Sequence, residues 1–197
     1  PYAFDPGGLT IESVNENRSQ ARDRNILFNA HESVKQIQTG LALDWKTVAG
    51  TLTSSLYYSN RDFIGLLPFT DGGYVELNRD FGGLELSLNN RFNQFEWVLG
   101  ASAQSQADDR KRFDNNEGIK GEMAMDQLES FDSYGIFALG SLNKLKYSVQ
   151  AGVRFDVHQI SLDDNFGLDQ QHVDYSSRLS AYSPNIGFIY NLNKSDE

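Results

Sequence analysis

Charged side chains crowd the stretch from Asp108 to Glu122, where Asp108, Asp109, Arg110, Lys111, Arg112, Asp114, Glu117, Lys120 and Glu122 follow one another closely. The chemistry such a run offers is recognition of an oxygen-rich anion. Arg110 and Arg112 present planar forks that donate paired hydrogen bonds, and Lys120 adds a point charge. Arg61, Gln127 and Arg154 are further donors that join this candidate set. Charged stretches of this kind are more often simply solvated, and Arg61 and Arg154 have nearby carboxylates, Asp62 and Asp156, as alternative partners.

Other chemistries find little support. His158 lies close to Asp156 in sequence, but no serine motif accompanies them, so no catalytic residue is expected. His31, His158 and His172 are scattered without a zinc-binding spacing, and the chain has no cysteine. Asp163, Asp164, Asn165, Gly167 and Asp169 offer oxygen ligands, yet they do not fit the twelve-residue calcium loop and read as a turn. No metal site and no cofactor is expected. With 17 Lys plus Arg against 27 Asp plus Glu, the net charge of -10 disfavours a nucleic-acid partner.

The elements that must carry these side chains are strands. From Tyr147 to Val157, Tyr147, Val149, Ala151, Val153, Phe155 and Val157 alternate with Ser148, Gln150, Gly152, Arg154 and Asp156. Period-two alternation gives a strand one apolar and one wet face. Its length matches the ~9–11 residues a tilted strand needs to cross a bilayer. The same alternation recurs from Gln36 to Trp45, Thr51 to Phe63, Tyr74 to Asn90, Phe95 to Gln104 and Ala181 to Asn193. A further strand is expected from Asp126 to Leu142, although Ile136 and Phe137 leave its faces unassigned. Gly82-Gly83 suggests a bulge or bend.

The links between these strands alternate in length. Lys46 to Gly50, Arg91 to Gln94 and Asn143 to Lys146 are short, whereas Ile64 to Gly73, Asp108 to Met125 and Leu162 to Ser180 are long. A barrel in the outer membrane separates short turns from long loops in this way. Trp45, Phe95, Trp97, Tyr147 and Tyr190 gather near the short turns, with Tyr58 and Phe155 toward the loops, as interfacial girdles require. No run approaches the ~18 apolar residues of a membrane helix, a fact that does not bear on a barrel.

Residues 1–35 differ in character. Asp5-Pro6-Gly7-Gly8 is turn chemistry, and Thr10 can cap a short polar helix from Ile11 to Ala21. The domain reading is therefore a loop segment over residues 1–35 and a seven-strand section over 36–197. Beginning at Pro1 with no targeting segment, the chain reads as a piece of a longer protein.

Several stretches resemble one family. They are Asp5-Pro6-Gly7-Gly8-Leu9-Thr10, Arg24-Asn25, Glu32-Ser33-Val34, Tyr57-Tyr58-Ser59-Asn60-Arg61-Asp62-Phe63, Leu67-Pro68-Phe69, Asp108-Asp109-Arg110, Asp126-Gln127-Leu128-Glu129, and, most tellingly, Ala151-Gly152-Val153-Arg154-Phe155-Asp156 with Ser183-Pro184-Asn185-Ile186-Gly187. Together they look like the barrel of TonB-dependent outer-membrane receptors, within that family most like the siderophore and ferric-citrate type.

The resemblance implies an all-β, antiparallel up-and-down meander, part of a large transmembrane barrel in the bacterial outer membrane. It implies uptake of a ferric siderophore or similar iron chelate, with TonB engaged through parts of the receptor not present here. Arg61, Arg110, Arg112, Lys120, Gln127 and Arg154 are then the candidate chelate contacts, and outer-membrane lipid is the partner of the apolar face. Seven strands are about a third of a 22-stranded barrel, so the isolated piece is expected to self-associate. The reading that competes with this one from the residues alone is a soluble all-β ligand- or carbohydrate-binding module.

Overall fold

Successive side chains of a strand point to opposite sides, so strands that alternate in step build a sheet with one apolar and one polar face. A computed structural model of the chain, which describes residues 1–167 and 173–192, is organised in this way. Its elements are β1 (Tyr2–Phe4), α1 (Ile11–Glu16), α2 (Asp23–Leu27), β2 (His31–Thr47), β3 (Gly50–Leu66), β4 (Tyr74–Phe92), β5 (Phe95–Asn116), β6 (Ile119–Asn143), β7 (Tyr147–Asp164) and β8 (Val173–Tyr190). Each strand pairs antiparallel with the next, forming one 8-stranded sheet in the order β1 to β8 that does not close on itself. No second sheet covers it among the described residues, which sets aside the soluble sandwich. The seven expected strands correspond to β2–β8, and the three-residue β1 is an addition.

Register carries the apolar face across the sheet unbroken. Trp45, Leu52, Leu88, Leu99, Ala138, Val153 and Pro184 stand side by side on β2 to β8. The next outward row is Leu43, Ser54, Leu86, Ala101, Ile136, Phe155 and Tyr182. Ile136 therefore belongs to the outer face, where it is 61% exposed. Phe137 stands on the polar face above Gly100, where any Cβ would collide with its ring. Leu41 at 67% and Ile186 at 83% exposure lie as bare as lipid-facing residues must.

The apolar band also slips against the register. Ile37, at its upper edge on β2, is in register with Ser176, yet the outward apolar run of β8 begins at Tyr182. At the lower edge Trp45 is in register with Pro184, while the run on β8 continues to Tyr190. Both edges slip by the same amount, about one residue per strand. One rise of about 3.3 Å per strand spacing of about 4.8 Å inclines the strands by about 35°, which is the tilt of membrane barrels.

Short turns at Val48-Ala49, Asn93-Gln94 and Lys144–Lys146 occupy one end of the sheet. At the other end several expectations are corrected. The stretch Asp108 to Met125 is not a long loop but the tip of the β5–β6 hairpin. It is closed by Glu117 and Gly118, both with positive φ (52° and 92°). Ile64–Leu66 likewise belong to β3, Leu162–Asp164 to β7, and 173–180 to β8. The physical reason is shared. Above the bilayer edge both faces of a strand can be wet, so the hydrogen-bonded ladder continues while the period-two hydrophobic signal disappears.

Gly82-Gly83 is no bulge, since both stay in register with Tyr58 and Tyr57. The register shifts lie instead around Phe113. In α1, Thr10 Oγ1 accepts from the Ser13 N–H at 3.3 Å, as a cap should. The helix ends at Glu16 rather than Ala21 because Asn17 turns to extended backbone and the Gln20 amide donates to the Ser13 carbonyl at 2.7 Å. The α2 turn was not anticipated. Asn193, the expected end of the last strand, lies outside the described residues.

Buried hydrophobic residues are few: Phe28, Ala30, Leu66 and Phe113. All are at the loop end. Among the described residues, the wall below them has no apolar interior of its own.

Candidate functional site

On the face opposite the apolar band, the register Gln36–Arg61–Arg79–Asp108–Glu129 runs across β2 to β6. The adjoining row toward the loops contains Phe63, Leu77, Arg110 and Gln127, and the row beyond it Arg112. Strand parity thus gathers Arg61, Arg110, Arg112 and Gln127 from three strands onto one polar panel. Arg79 joins them.

Asp108 organises this panel. It is buried to 3% exposure and accepts both Arg79 Nε at 2.8 Å and a terminal Arg79 nitrogen at 2.6 Å. Gln106 Nε2 donates to it at 3.2 Å, and an Arg110 terminal nitrogen lies 4.0 Å away. The Asp108 hydrogen bond holds the Arg79 guanidinium charged, raising its pKa above the usual range against the opposing effect of burial. Arg110 Nε is 3.2 Å from Glu129 Oε1, an ion pair whose geometry is not that of an aligned hydrogen bond.

The panel is not neutralised throughout. Among the described residues no ion pair involves Arg61 or Arg112. The Arg61 guanidinium lies over the Phe63 ring at 5.9 Å, with its Nε shielded from water and without an acceptor. Directly across from it stands Arg79, a like charge. Two cations side by side, one lacking a counter-ion, form a place where an anion is favoured.

The register separates the other two candidates from this group. Arg154 shares the polar face but stands in register with Phe137, Gly100 and Ser87, four same-face positions from Arg79 along β4. Its Nε donates to both Asp156 oxygens at 2.9 and 2.8 Å, and a terminal nitrogen reaches Ser102 Oγ at 3.3 Å. With Thr53, Ser55, Ser133 and Phe137 it lines a hydroxyl-rich hollow. Lys120 sits at the hairpin tip, where its Nζ contacts Glu76 at 2.7 Å and lies 3.7 Å from the Phe113 ring centroid. Glu76 belongs to the outer face, so Lys120 clasps the hairpin from that side.

Arg79 was not singled out from sequence, although a signal existed. Continuing the odd-numbered polar positions of β4 upward from Glu85 reaches Arg79. The histidines find ordinary places: His31 stacks on Tyr2 at 4.5 Å and His158 on Phe131 at 5.6 Å. His172 lies outside the described residues, as do Leu168 and Asp169 of the acidic turn. There, Asp164 accepts from Phe166 N at 3.0 Å and from Gln127 Nε2 at 3.3 Å. Among the described residues no group of ligating side chains could hold a metal ion.

A tilted, open, two-faced meander with a polar inner panel defines a section of a large membrane β-barrel wall. Residues 2–195 match the family of TonB dependent receptor-like β-barrels, and the chain belongs to that family. Receptors of this kind are outer-membrane transporters, not enzymes.

Solved structures agree in fold. The unliganded ferric citrate transporter FecA superposes with a TM-score of 0.75 at 14% identity, covering 98% of this chain and 30% of that one. For the siderophore receptor PiuA from Acinetobacter baumannii the values are 0.64 and 10%, over 83% of this chain and 31% of that one. The ferric yersiniabactin uptake receptor FyuA from Yersinia pestis gives 0.64 and 10%, over 83% and 27%. The chain therefore spans about a third of the length of these structures. No curated protein sequence matches it.

Proposed function

We propose that the whole receptor takes up an anionic iron chelate, a ferric siderophore or similar complex, across the bacterial outer membrane with energy delivered through TonB. In this reading residues 1–35 are extracellular, the short turns face the periplasm, and residues 36–197 are wall whose outward face meets lipid. The observation that carries the proposal is the placement of Arg61, Arg79, Arg110, Arg112 and Gln127 on one inner panel above the apolar band. Arg61 and Arg112 are the contacts for the chelate's oxygens, and Asp108 and Glu129 hold Arg79 and Arg110 in place behind them.

Binding to the full-length receptor tests this reading, with ferric citrate as the anionic probe and a neutral ferric hydroxamate as the comparison. Charge-assisted hydrogen bonds contribute about 1.5–3 kcal/mol each. Arg61→Ala with Arg112→Ala should then weaken ferric citrate by about a hundredfold or more and the neutral chelate far less. Equal affinity of the double variant for ferric citrate would remove the panel from the site.

A further inference from the structure

Among the described residues the buried apolar side chains gather at the loop end, and one fully buried polar side chain sits with them. Asn115 is fully buried at 0% exposure, and both polar atoms of its carboxamide are used. Nδ2 donates to the carbonyls of Phe28 at 3.1 Å and Leu67 at 2.9 Å, while Oδ1 accepts from the Gly118 N–H at 2.7 Å. Its backbone N–H donates to the Thr70 carbonyl at 2.8 Å. One residue thus ties together the stretch between α2 and β2, the β3–β4 link and the hairpin tip.

Neighbouring contacts repeat the pattern. Arg24 Nε donates to the Pro68 carbonyl at 2.6 Å, and the Gly72 N–H donates to Asp114 Oδ1 at 3.1 Å. The buried Phe28, Ala30, Leu66 and Phe113 lie in or beside the same segments. A Cβ placed on Gly118 would press on Asn29 at 3.0 Å, and one on Gly72 would meet Arg112 at 3.8 Å. The stem of Arg112 is therefore in reach of this knot, and Arg112 and Arg110 lie three and five residues before Asn115 on the same strand, β5.

We propose that Asn115 is a positioning residue. It assembles residues 25–30, 67–73 and 113–120 into one cap before any ligand arrives, and so holds Arg110 and Arg112 at a fixed place on the inner panel. The part concerning the arginines rests on the panel as the chelate-contact surface. A carboxamide is the group that suits this position, because it offers two donors to two separate carbonyls and an acceptor to a third segment. Alanine leaves those groups buried without partners, and aspartate turns an acceptor toward two acceptors.

Hydrogen exchange on the ligand-free, full-length receptor in detergent tests the cap directly. The wild type should protect amides in all three segments. Asn115→Ala should speed exchange in all three together by about tenfold or more, leaving the β7 and β6 turn at Lys144–Lys146 unchanged. Asn115→Ser, which retains one donor, serves if the alanine variant does not fold, and should give a smaller loss spread over the same segments. Fast exchange in the wild-type segments, or loss confined to the hairpin tip, overturns the cap.

Ferric citrate binding supplies the second arm. Asn115→Ala should weaken binding, and adding it to the Arg110→Ala, Arg112→Ala double variant should cost nothing further, because Asn115 acts through those two arginines. Additive losses overturn the positioning role. Unchanged binding in that double variant with coordinated exchange intact would overturn the panel reading alone, and the cap would stand.

Discussion

Exchanging Leu86 for arginine should be far costlier than exchanging Ser87, its neighbour in the chain. The two differ only in face: Leu86 stands outward between Ser54 and Ala101, and Ser87 inward between Thr53 and Gly100. On β4 the outward side is free of charge from Gly82 to Phe92. At a rise of about 3.3 Å and a tilt of about 35° this spans about 27 Å, close to the height of about 25 Å of an outer-membrane apolar band. Leu86 lies about 11 Å below the upper edge, near the midplane.

An arginine there costs about 2–4 kcal/mol, whereas at the edge, as in Tyr58→Arg, the cost falls to about 0–1 kcal/mol. Ser87→Arg enters a water-filled or polar space and should change stability by under about 1 kcal/mol. Urea titration of the full-length receptor folding into phospholipid vesicles measures all three. Equal costs for Leu86→Arg and Ser87→Arg, or a larger cost at Ser87, would refute the assignment of faces and with it the tilt.

Three further outcomes follow from particular contacts. Asp108→Asn removes the charge that separates Arg79 from Arg110 and should destabilise by about 1–3 kcal/mol, toward the lower end because Arg79 is a third exposed; an unchanged urea midpoint would contradict this. The Lys111 ammonium donates to Asp109 at 2.9 Å, and that bond raises its pKa above the ordinary value of 10.5. A raised folded pKa gives stability that is complete below the unfolded pKa and lost as pH rises through the folded one. Hairpin-tip exchange protection, corrected for intrinsic rate, should thus hold from about pH 6 to 9 and weaken only in stronger alkali, a loss absent in Lys111→Met. Finally, residues 1–197 alone in plain buffer should self-associate through the open edges and bare apolar face, and a compact monomer by sedimentation would contradict this.

The wall was legible because a lipid-facing strand needs strict alternation. Leu41, Leu43 and Trp45 must all be apolar while Ala42 and Asp44 need not be, and the pattern of one strand predicts its neighbour's. The loop end was not legible in the same way. Between Asp108 and Arg112 both faces of β5 are charged, so nothing in the residue types there distinguishes a continuing strand from a charged loop. The partnership of Asp108 with Arg79 depends on register between strands, which follows only once every turn length is known. Arg61, Arg110 and Arg112 could be named from type alone; that they share a panel with one another and not with Lys120 is a property of parity and of the shifts around Phe113.

Stability in this chain is therefore divided between two solvents. From Ile37 to Trp45 and across to Tyr190 the outer face of the sheet lies bare of protein among the described residues, and under the proposed function it is lipid that covers it. Above the band the situation reverses: Phe28, Leu66, Phe113 and Asn115 are shielded by the chain itself, so the cap needs neither lipid nor a closed barrel for its contacts. Removing the membrane should loosen the wall and spare the knot above it. The inner panel lies between the two, with Arg61 carried by the wall and Arg112 by the cap. A chelate that contacts both would couple a lipid-stabilised element to a self-stabilised one, and its affinity should depend on the membrane through Arg61 more than through Arg112.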